Sequence, residues 1–250
     1  MGRNDKRTTG KTAAMGVSVS ALEVLERLAS LPTFTSGSPA VDGLLDGGLK
    51  AGRVVEVYGS SGCGKTQLAM QAALLVAALG QKAVFIDTEG AFRPERVLEM
   101  AGARGKPTEG LLDRIAYVRV TTSAAQTDAV RAIATRNETR AARFVAIDTF
   151  TRNFSLDYPG HSNLPTRQGA LDVLLSEVAR DAFVNGRAYM LTNRVTFSQN
   201  EGEARIGGRT MEQLVHCSLH LEKKKEAVIA TRVSDGVAAQ LGRIGDAGLQ

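Results

Sequence analysis

Residues 54–66 read Val-Val-Glu-Val-Tyr-Gly-Ser-Ser-Gly-Cys-Gly-Lys-Thr. The first five residues are a β-branched run of strand character. They stop at a glycine-rich turn, and the residues after it, Thr66 to Leu79, are rich in Ala and Leu and read as a helix closed by Gly80. Gly59 to Thr66 fit G-x-x-x-x-G-K-[ST] between a strand and a helix, the setting in which that spacing has a chemical meaning. Glycine lets the backbone wrap close to phosphate oxygens. Successive amides and the helix start then face the anion. Gly59, Ser60, Ser61, Gly62, Cys63 and Gly64 are therefore candidate phosphate-binding backbone. Lys65 adds a positive charge at the β- and γ-phosphates, and the Thr66 hydroxyl is a candidate ligand of Mg²⁺. Cys63 stands at a variable position of the pattern and is given no catalytic role.

Working outward, the pattern alternates. Strands are expected at 83–86, 115–120, 144–147 and 188–191, with helices at 94–101, 124–139 and 166–183. Residues 214–221 and 227–233 read as a hairpin around Glu222-Lys-Lys-Lys-Glu226. Upstream, Ser20 and Glu23 have capping-box spacing ahead of a helix that Pro32 ends, and residues 40–45 read as a short helix. The fold class is α/β: a largely parallel, twisted sheet with helices on both faces and an antiparallel hairpin near the C-terminus.

Two of the strands end in acids. Arg143 to Asp148 is an apolar strand closed by a carboxylate, and in an open parallel sheet ligands gather at the carboxyl ends of strands. Asp148 is thus a candidate for the magnesium side of a nucleotide site. Phe85-Ile-Asp-Thr-Glu89 ends in two acids. Glu89 is a candidate general base for an attacking water, and Asp87 reads as a loop cap or as a further site acid. Arg194 follows the strand at 188–191. It reads either as a group that stabilises transition-state charge on the γ-phosphate or as a solvent-facing arginine.

Lysine and arginine number 31 against 26 aspartate and glutamate, a formal charge of +5. That balance permits a polyanionic partner without demanding one. The longest nearly apolar run, Leu68 to Leu79, is twelve residues, too short to span a bilayer. No apolar core of a signal peptide follows the basic N-terminus. Two cysteines make no disulfide framework, and a cytoplasmic setting is expected, beside the nucleoid if the source is archaeal. Residues 1–16 are polar and basic and are expected to be a disordered tail, 17–32 a helix and linker, and 33–250 one ATPase core.

Several stretches resemble the RecA-family recombinase core ATPases, on the branch of archaeal RadA and RadB. They are Thr35-Ser-Gly-Ser38 with Val41-Asp42 and Gly47-Gly48-Leu49, the loop continuing as Gly64-Lys-Thr-Gln-Leu68, and above all Ile86-Asp-Thr-Glu-Gly-Ala-Phe-Arg-Pro-Glu-Arg96. Tyr158-Pro-Gly160 with Asn163-Leu164 and Arg167-Gln168 is similar to the family's first DNA loop. Leu191-Thr-Asn193 followed by Gly207-Gly208 is similar to the bounds of the second. The resemblance spans roughly residues 17–235. It implies a RecA-like P-loop core that binds ATP and Mg²⁺, with Arg93 near the adenine and Arg167 on the DNA backbone. The second loop, 196–208, would be mobile, and Arg205 within it and Arg209 just after it would contact DNA.

Departures from the family pattern matter too. Only about thirty residues precede the core. The aromatic of the Phe-x-x-Ala docking segment is Ser18, two first-loop arginine positions are Ser155 and His161, and the glutamine after the asparagine is Arg194. The proline-bearing segment that caps a neighbour's ATP is not recognisable near Ser234-Asp-Gly-Val237. The resemblance with these losses implies an accessory ATPase of recombination and repair. It would bind single-stranded DNA and assist or regulate the main recombinase, itself or another recombination protein being the expected partner, with homo-oligomers as a further state. Two alternatives stay open: a filament-forming strand-exchange recombinase, and an ATP-gated interaction module without DNA contact.

Overall fold

The computed structural model describes residues 19–198, 202–225 and 227–249. The expected disordered tail, 1–16, lies outside the described residues. The chain divides into two units, one ending at Ser30 and one running from Leu31. In the first, helix α1 (Ala21–Ser30) opens with the expected capping box: Glu23 N–H donates to Ser20 Oγ at 3.1 Å, and Ser20 N–H donates to the Glu23 carboxylate at 2.7 Å.

The second unit starts with β1 (Thr33–Phe34), α2 (Pro39–Leu44) and β2 (Leu49–Lys50), with β1 and β2 paired antiparallel. The alternating body follows as β3 (Val54–Gly59), α3 (Lys65–Ala78), β4 (Lys82–Asp87), α4 (Pro94–Ala103), β5 (Ile115–Arg119), α5 (Ser123–Ile133) and β6 (Ala142–Asp148). It continues as α6 (Arg152–Asp157), α7 (Leu164–Asn185), β7 (Ala188–Ser198), β8 (Gly202–Arg205) and α8 (Gly208–Leu214). The chain closes with β9 (Cys217–Lys224), β10 (Ala227–Arg232), β11 (Ala238–Leu241), β12 (Ile244–Gly245) and β13 (Gly248–Leu249).

The main sheet has the order β11-β10-β9-β3-β7-β6-β4-β5, with β8 paired to β7. From β9 to β5 every neighbouring pair is parallel, and the β9–β10–β11 edge is antiparallel. Consecutive strand residues go to opposite cores. Val55, Val57, Phe85, Phe144 and Met190 pack with α3 and α4 on one face. Val54, Val84, Ile86, Val145 and Leu191 pack with α5 and α7 on the other. Both faces are covered, so the strands read as continuous apolar runs. Helix α3 is apolar around nearly its whole circumference, as a helix sunk in the core must be.

This is the expected α/β class with its C-terminal hairpin. The chain runs from β3 to β4, leaving β7 and β6 to fill the gap later. The strand order therefore switches beside the loop that follows β3, where ligands of open α/β sheets sit.

The differences from the sequence reading are local. Helix α5 stops at Ile133, six residues before the expected Thr139. The hydroxyls of Thr135 and Thr139 donate to Ala132 O and Ile133 O at 3.1 and 2.9 Å and so compete with helix continuation. The expected mobile loop 196–208 is largely a hairpin instead: Val195 pairs with Arg205, and Thr196 with Ala204. Its turn residues 199–201 lie outside the described residues. The terminal β12–β13 hairpin was not expected, although Gly245 and Gly248 around Asp246-Ala247 are ordinary turn residues.

Candidate active site

The loop between β3 and α3 is preformed by its glycines at two positions in particular. Gly59 has φ +155, and a Cβ there would stand 2.1 Å from Leu221 O, on neighbouring β9. Gly64 caps α3 in the left-handed region at φ +98. Ser60, Ser61, Gly62 and Cys63 complete the turn between them. Lys65 is buried, with its Nζ donating to Gly59 O at 2.9 Å and Ser60 O at 2.7 Å and lying 3.5 Å from Cys63 Sγ. The ammonium is thus held on the loop's own carbonyls, facing a pocket of about 200 Å³ whose walls include Gly62, Gly64, Lys65, Thr66, Glu89 and Arg194.

Thr66, at the start of α3, donates from Oγ1 to Asp148 Oδ2 at 2.8 Å, which joins the loop to the tip of β6 across the intervening β7. The Thr192 hydroxyl on β7 donates to the other oxygen, Oδ1. Asp148 is buried, and burial is the main cause that pushes its carboxyl above the ordinary value. The Thr192 and Thr66 hydroxyls oppose that rise, and the negative charges of Glu89 and Asp87 add to it.

Its register partner on β4, Asp87, is shifted the other way. Burial alone would raise the Asp87 carboxyl too, but N–H groups of Phe92, Gly90, Glu89 and Ala91 outweigh it, and the net shift is downward. Three of those bonds measure 3.1, 2.7 and 2.9 Å, for Phe92, Gly90 and Glu89. Asp87 is therefore the cap of the turn that carries Glu89, and the Tyr117 hydroxyl on β5 also donates to its Oδ2, at 3.2 Å.

Glu89 stands at the mouth of the same pocket. The Arg194 guanidinium donates to its Oε2, and Arg152 Nε lies 3.9 Å from Oε1. Oε1 itself is buried and accepts no hydrogen bond. Lys65, Thr66, Asp148, Glu89 and Arg194 are thus brought to one edge of the sheet. Arg93 is not among the residues lining this pocket. It is exposed, and it folds onto its own turn, donating to Gly90 O at 2.7 Å and Phe92 O at 2.9 Å.

A pair of adjacent hard oxygen donors, one hydroxyl and one carboxylate, suits Mg²⁺ held partly by substrate phosphates. No cluster of three His, Cys, Asp or Glu side chains that could hold a metal by itself occurs among the described residues.

The DNA-side candidates separate. Arg167 lies half-buried in the first turn of α7. The side chain of Arg209, in α8, lies outside the described residues. Arg205 does not face outward as expected. Its guanidinium is 10% exposed and pairs with fully buried Glu56 at 2.9 Å and with Glu212 at 2.7 Å. Burial alone would ease its proton off, but the charges of Glu56 and Glu212 reverse that. Ser218 Oγ and Asn193 Nδ2 also donate to Glu56, at 2.9 and 3.0 Å, and Asn193 Nδ2 reaches Ile206 O at 2.6 Å. Arg205 therefore anchors the β7–β8 hairpin to the phosphate-loop strand.

With the loop, the two strand-tip acids and this sheet order in place, a family model gives the assignment: the Rad51 model matches residues 27–238. The chain belongs to the Rad51 family. Its membership supports a RecA-type recombinase or ATPase role in DNA recombination, and Rad51-family proteins as a class bind ATP with Mg²⁺ and bind DNA. No helix among the described residues is long and apolar enough to cross a membrane.

Sequence reasoning missed two groups of this Rad51-family site. Arg152 lies four residues past Asp148, on the first turn of α6, and a strand-end acid followed by a basic residue at the same sheet edge was the available signal. Thr192 lay within the quoted Leu191-Thr-Asn193, but its role depends on β7 sitting between β3 and β6, which the sequence does not state.

Proposed function

We propose that this chain hydrolyses ATP slowly, binds single-stranded DNA, and assists or regulates the main recombinase. The observation that supports the ATPase part is the link from Thr66 to Asp148, with Lys65 and Glu89 lining one pocket. Lys65 would exchange its two loop carbonyls for β- and γ-phosphate oxygens. Thr66 and Asp148 would hold Mg²⁺, which when bound neutralises charge on the phosphates. Glu89 would orient a water and take its proton as the water oxygen bonds to the γ-phosphorus. The bond from that phosphorus to the bridging oxygen breaks, giving ADP and inorganic phosphate. Arg93, exposed at the start of α4, stays the candidate neighbour of the adenine.

The DNA part rests on Arg167 in the first turn of α7, with Arg209 kept as a second candidate, and on the β7–β8 hairpin, whose strand β7 runs on to Ser198 past the end of β3. Arg205 is the anchor of that hairpin and not a phosphate contact. The accessory role rests on Ser18 in place of the docking aromatic, since a missing buried anchor removes the expected hot spot of the subunit contact.

The test is ATP turnover of wild type and Lys65→Ala, with and without single-stranded DNA. Turnover that falls at least about 100-fold in the variant, and that responds to DNA in wild type, is expected. DNA affinity should fall with salt, with a log–log slope of about −0.7 per neutralised phosphate. Turnover equal in both proteins would refute the ATPase reading. Regular helical filaments on DNA with ATP would replace the accessory role by strand exchange, and a DNA affinity absent at low salt would favour the interaction module.

A further inference from the structure

Glu89 has one carboxylate oxygen, Oε1, that is buried and accepts no hydrogen bond. The charge that faces this oxygen is Arg152, whose Nε stands 3.9 Å away.

The guanidinium of Arg152 is held independently of Glu89. Its Nη1 donates to Thr88 O at 2.8 Å. Thr88 is fully buried and tied to the tip of β6: its N–H donates to Asp148 O at 2.8 Å, and its hydroxyl accepts from Thr149 N–H at 2.9 Å. The backbone of Arg152 belongs to α6, which is braced at both ends. Thr151 Oγ1 donates to Asn193 Oδ1 at 2.6 Å, and Asp157 Oδ2 accepts from the N–H and the hydroxyl of Ser123, both at 2.7 Å. Between them Asn153 Nδ2 donates to Gln126 Oε1 at 3.1 Å. Arg194, on the other oxygen of Glu89, has the more exposed side chain, 54% against 36%. Of the two cations beside Glu89, the fixed one is therefore Arg152.

A free glutamate side chain spreads over several rotamers, few of which aim the carboxylate at one point. A cation held still beside one oxygen favours the rotamer that faces it. At 3.9 Å the attraction is Coulombic and not a hydrogen bond, so it leaves the carboxylate lone pairs free to take a proton.

We propose that Arg152 is a positioning residue: from the braced helix α6 it holds Oε1 of Glu89 and so presents the carboxylate to the water that attacks the γ-phosphorus. The proposal rests on the ATPase reading above and names the residue, on a neighbouring element, that the general base of that site depends on.

The experiment is a double-mutant cycle between Arg152→Ala and Glu89→Gln, with Arg152→Lys as the conservative variant. ATP turnover is followed in the steady state and, for the slow variants, in single turnovers with protein in excess. Arg152→Ala should lower kcat about 10- to 100-fold, as expected when a reacting group is misplaced by about 1 Å, with KM for ATP unchanged. Arg152→Lys keeps the charge without the planar fork and should recover part of the loss. In the Glu89→Gln background Arg152→Ala should lower turnover no further, because a positioning residue acts only through the group it positions. In the nucleotide-free protein the Arg152 Nε–H resonance, identified by its loss in Arg152→Ala, should move on Glu89→Gln.

An Arg152→Ala protein with the wild-type kcat, a loss confined to KM, or an equal loss in the wild-type and Glu89→Gln backgrounds would overturn the proposal and leave Arg152 as a cap on Thr88 O. A resonance indifferent to Glu89→Gln would overturn it as well. Wild type that turns over ATP no faster than Lys65→Ala would instead bring down the ATPase reading, and the positioning role with it.

Discussion

The phosphate loop and the β7–β8 hairpin stand at the same end of the sheet, and they are built in opposite ways. The loop is closed by neighbours in sequence: Lys65 bonds to Gly59 and Ser60, and Gly64 starts the helix that Lys65 begins. The hairpin is held from far along the chain, by Arg205 on Glu56 and Asn193 on the same carboxylate. A locally closed turn keeps its shape whatever surrounds it. A remotely anchored one depends on the element that anchors it, and here the anchor is the strand that feeds the phosphate loop. The two regions therefore share β3, one through its last carbonyl and one through a side chain three residues earlier.

The largest test of that contrast is Glu56→Ala. It leaves the Arg205 guanidinium without its buried partner, a change that typically costs about 3–5 kcal/mol. Chemical denaturation should show the loss. Replacing both members together, Glu56→Leu with Arg205→Met, should recover most of it. If Glu56→Ala unfolds at the wild-type midpoint, the hairpin is not anchored as described.

A smaller effect sharpens the phosphate side. The Asp148 carboxyl is raised by burial, so between its ordinary and its raised value the folded chain holds more protons than the unfolded one. Stability contributed by this group therefore falls as pH rises through that window. Asp148→Asn should melt above wild type at neutral pH in the absence of nucleotide, with the difference vanishing in acid below the ordinary carboxylate range. The same variant should lose Mg²⁺-dependent nucleotide affinity. A melting difference that does not change with pH would remove burial as the cause.

The smallest effect belongs to the most local device. Glu23→Ala removes one half of the α1 capping box and should cost under about 1 kcal/mol. Amide exchange should quicken in the first turn of α1 and stay unchanged in β3. Faster exchange spreading into the sheet would contradict the local account.

What could be read in the sequence follows the same division. Gly59 to Thr66, Asp148 and Glu89 were legible because motif and strand end lie within a few residues of each other. So was the capping box at Ser20 and Glu23. The inward turn of Arg205 was not legible, because nothing near residue 205 names Glu56 as its partner, and a polar, basic stretch reads as a solvated loop. Arg194 was recognised as unusual, but the direction of its side chain depends on Glu89, at the tip of a strand two places away in the sheet. Helix α5 was overrun because Ala-rich residues gave no stop signal, and threonine hydroxyls supplied it through bonds back to the helix carbonyls.

The order of the strands also fixes a sequence of events as the chain leaves the ribosome. Of the strands in the main sheet β3 emerges before the others, yet Val54 meets its partner only at Tyr189, and Val55 meets its other neighbour at Cys217. Strands β4, β5 and β6 can pair among themselves well before that. Non-local closures of this kind are slow and leave an apolar edge bare in the meantime. The phosphate loop is thus synthesised ahead of both strands that complete its surroundings, and a nascent chain halted before β7 would carry the motif without its neighbours.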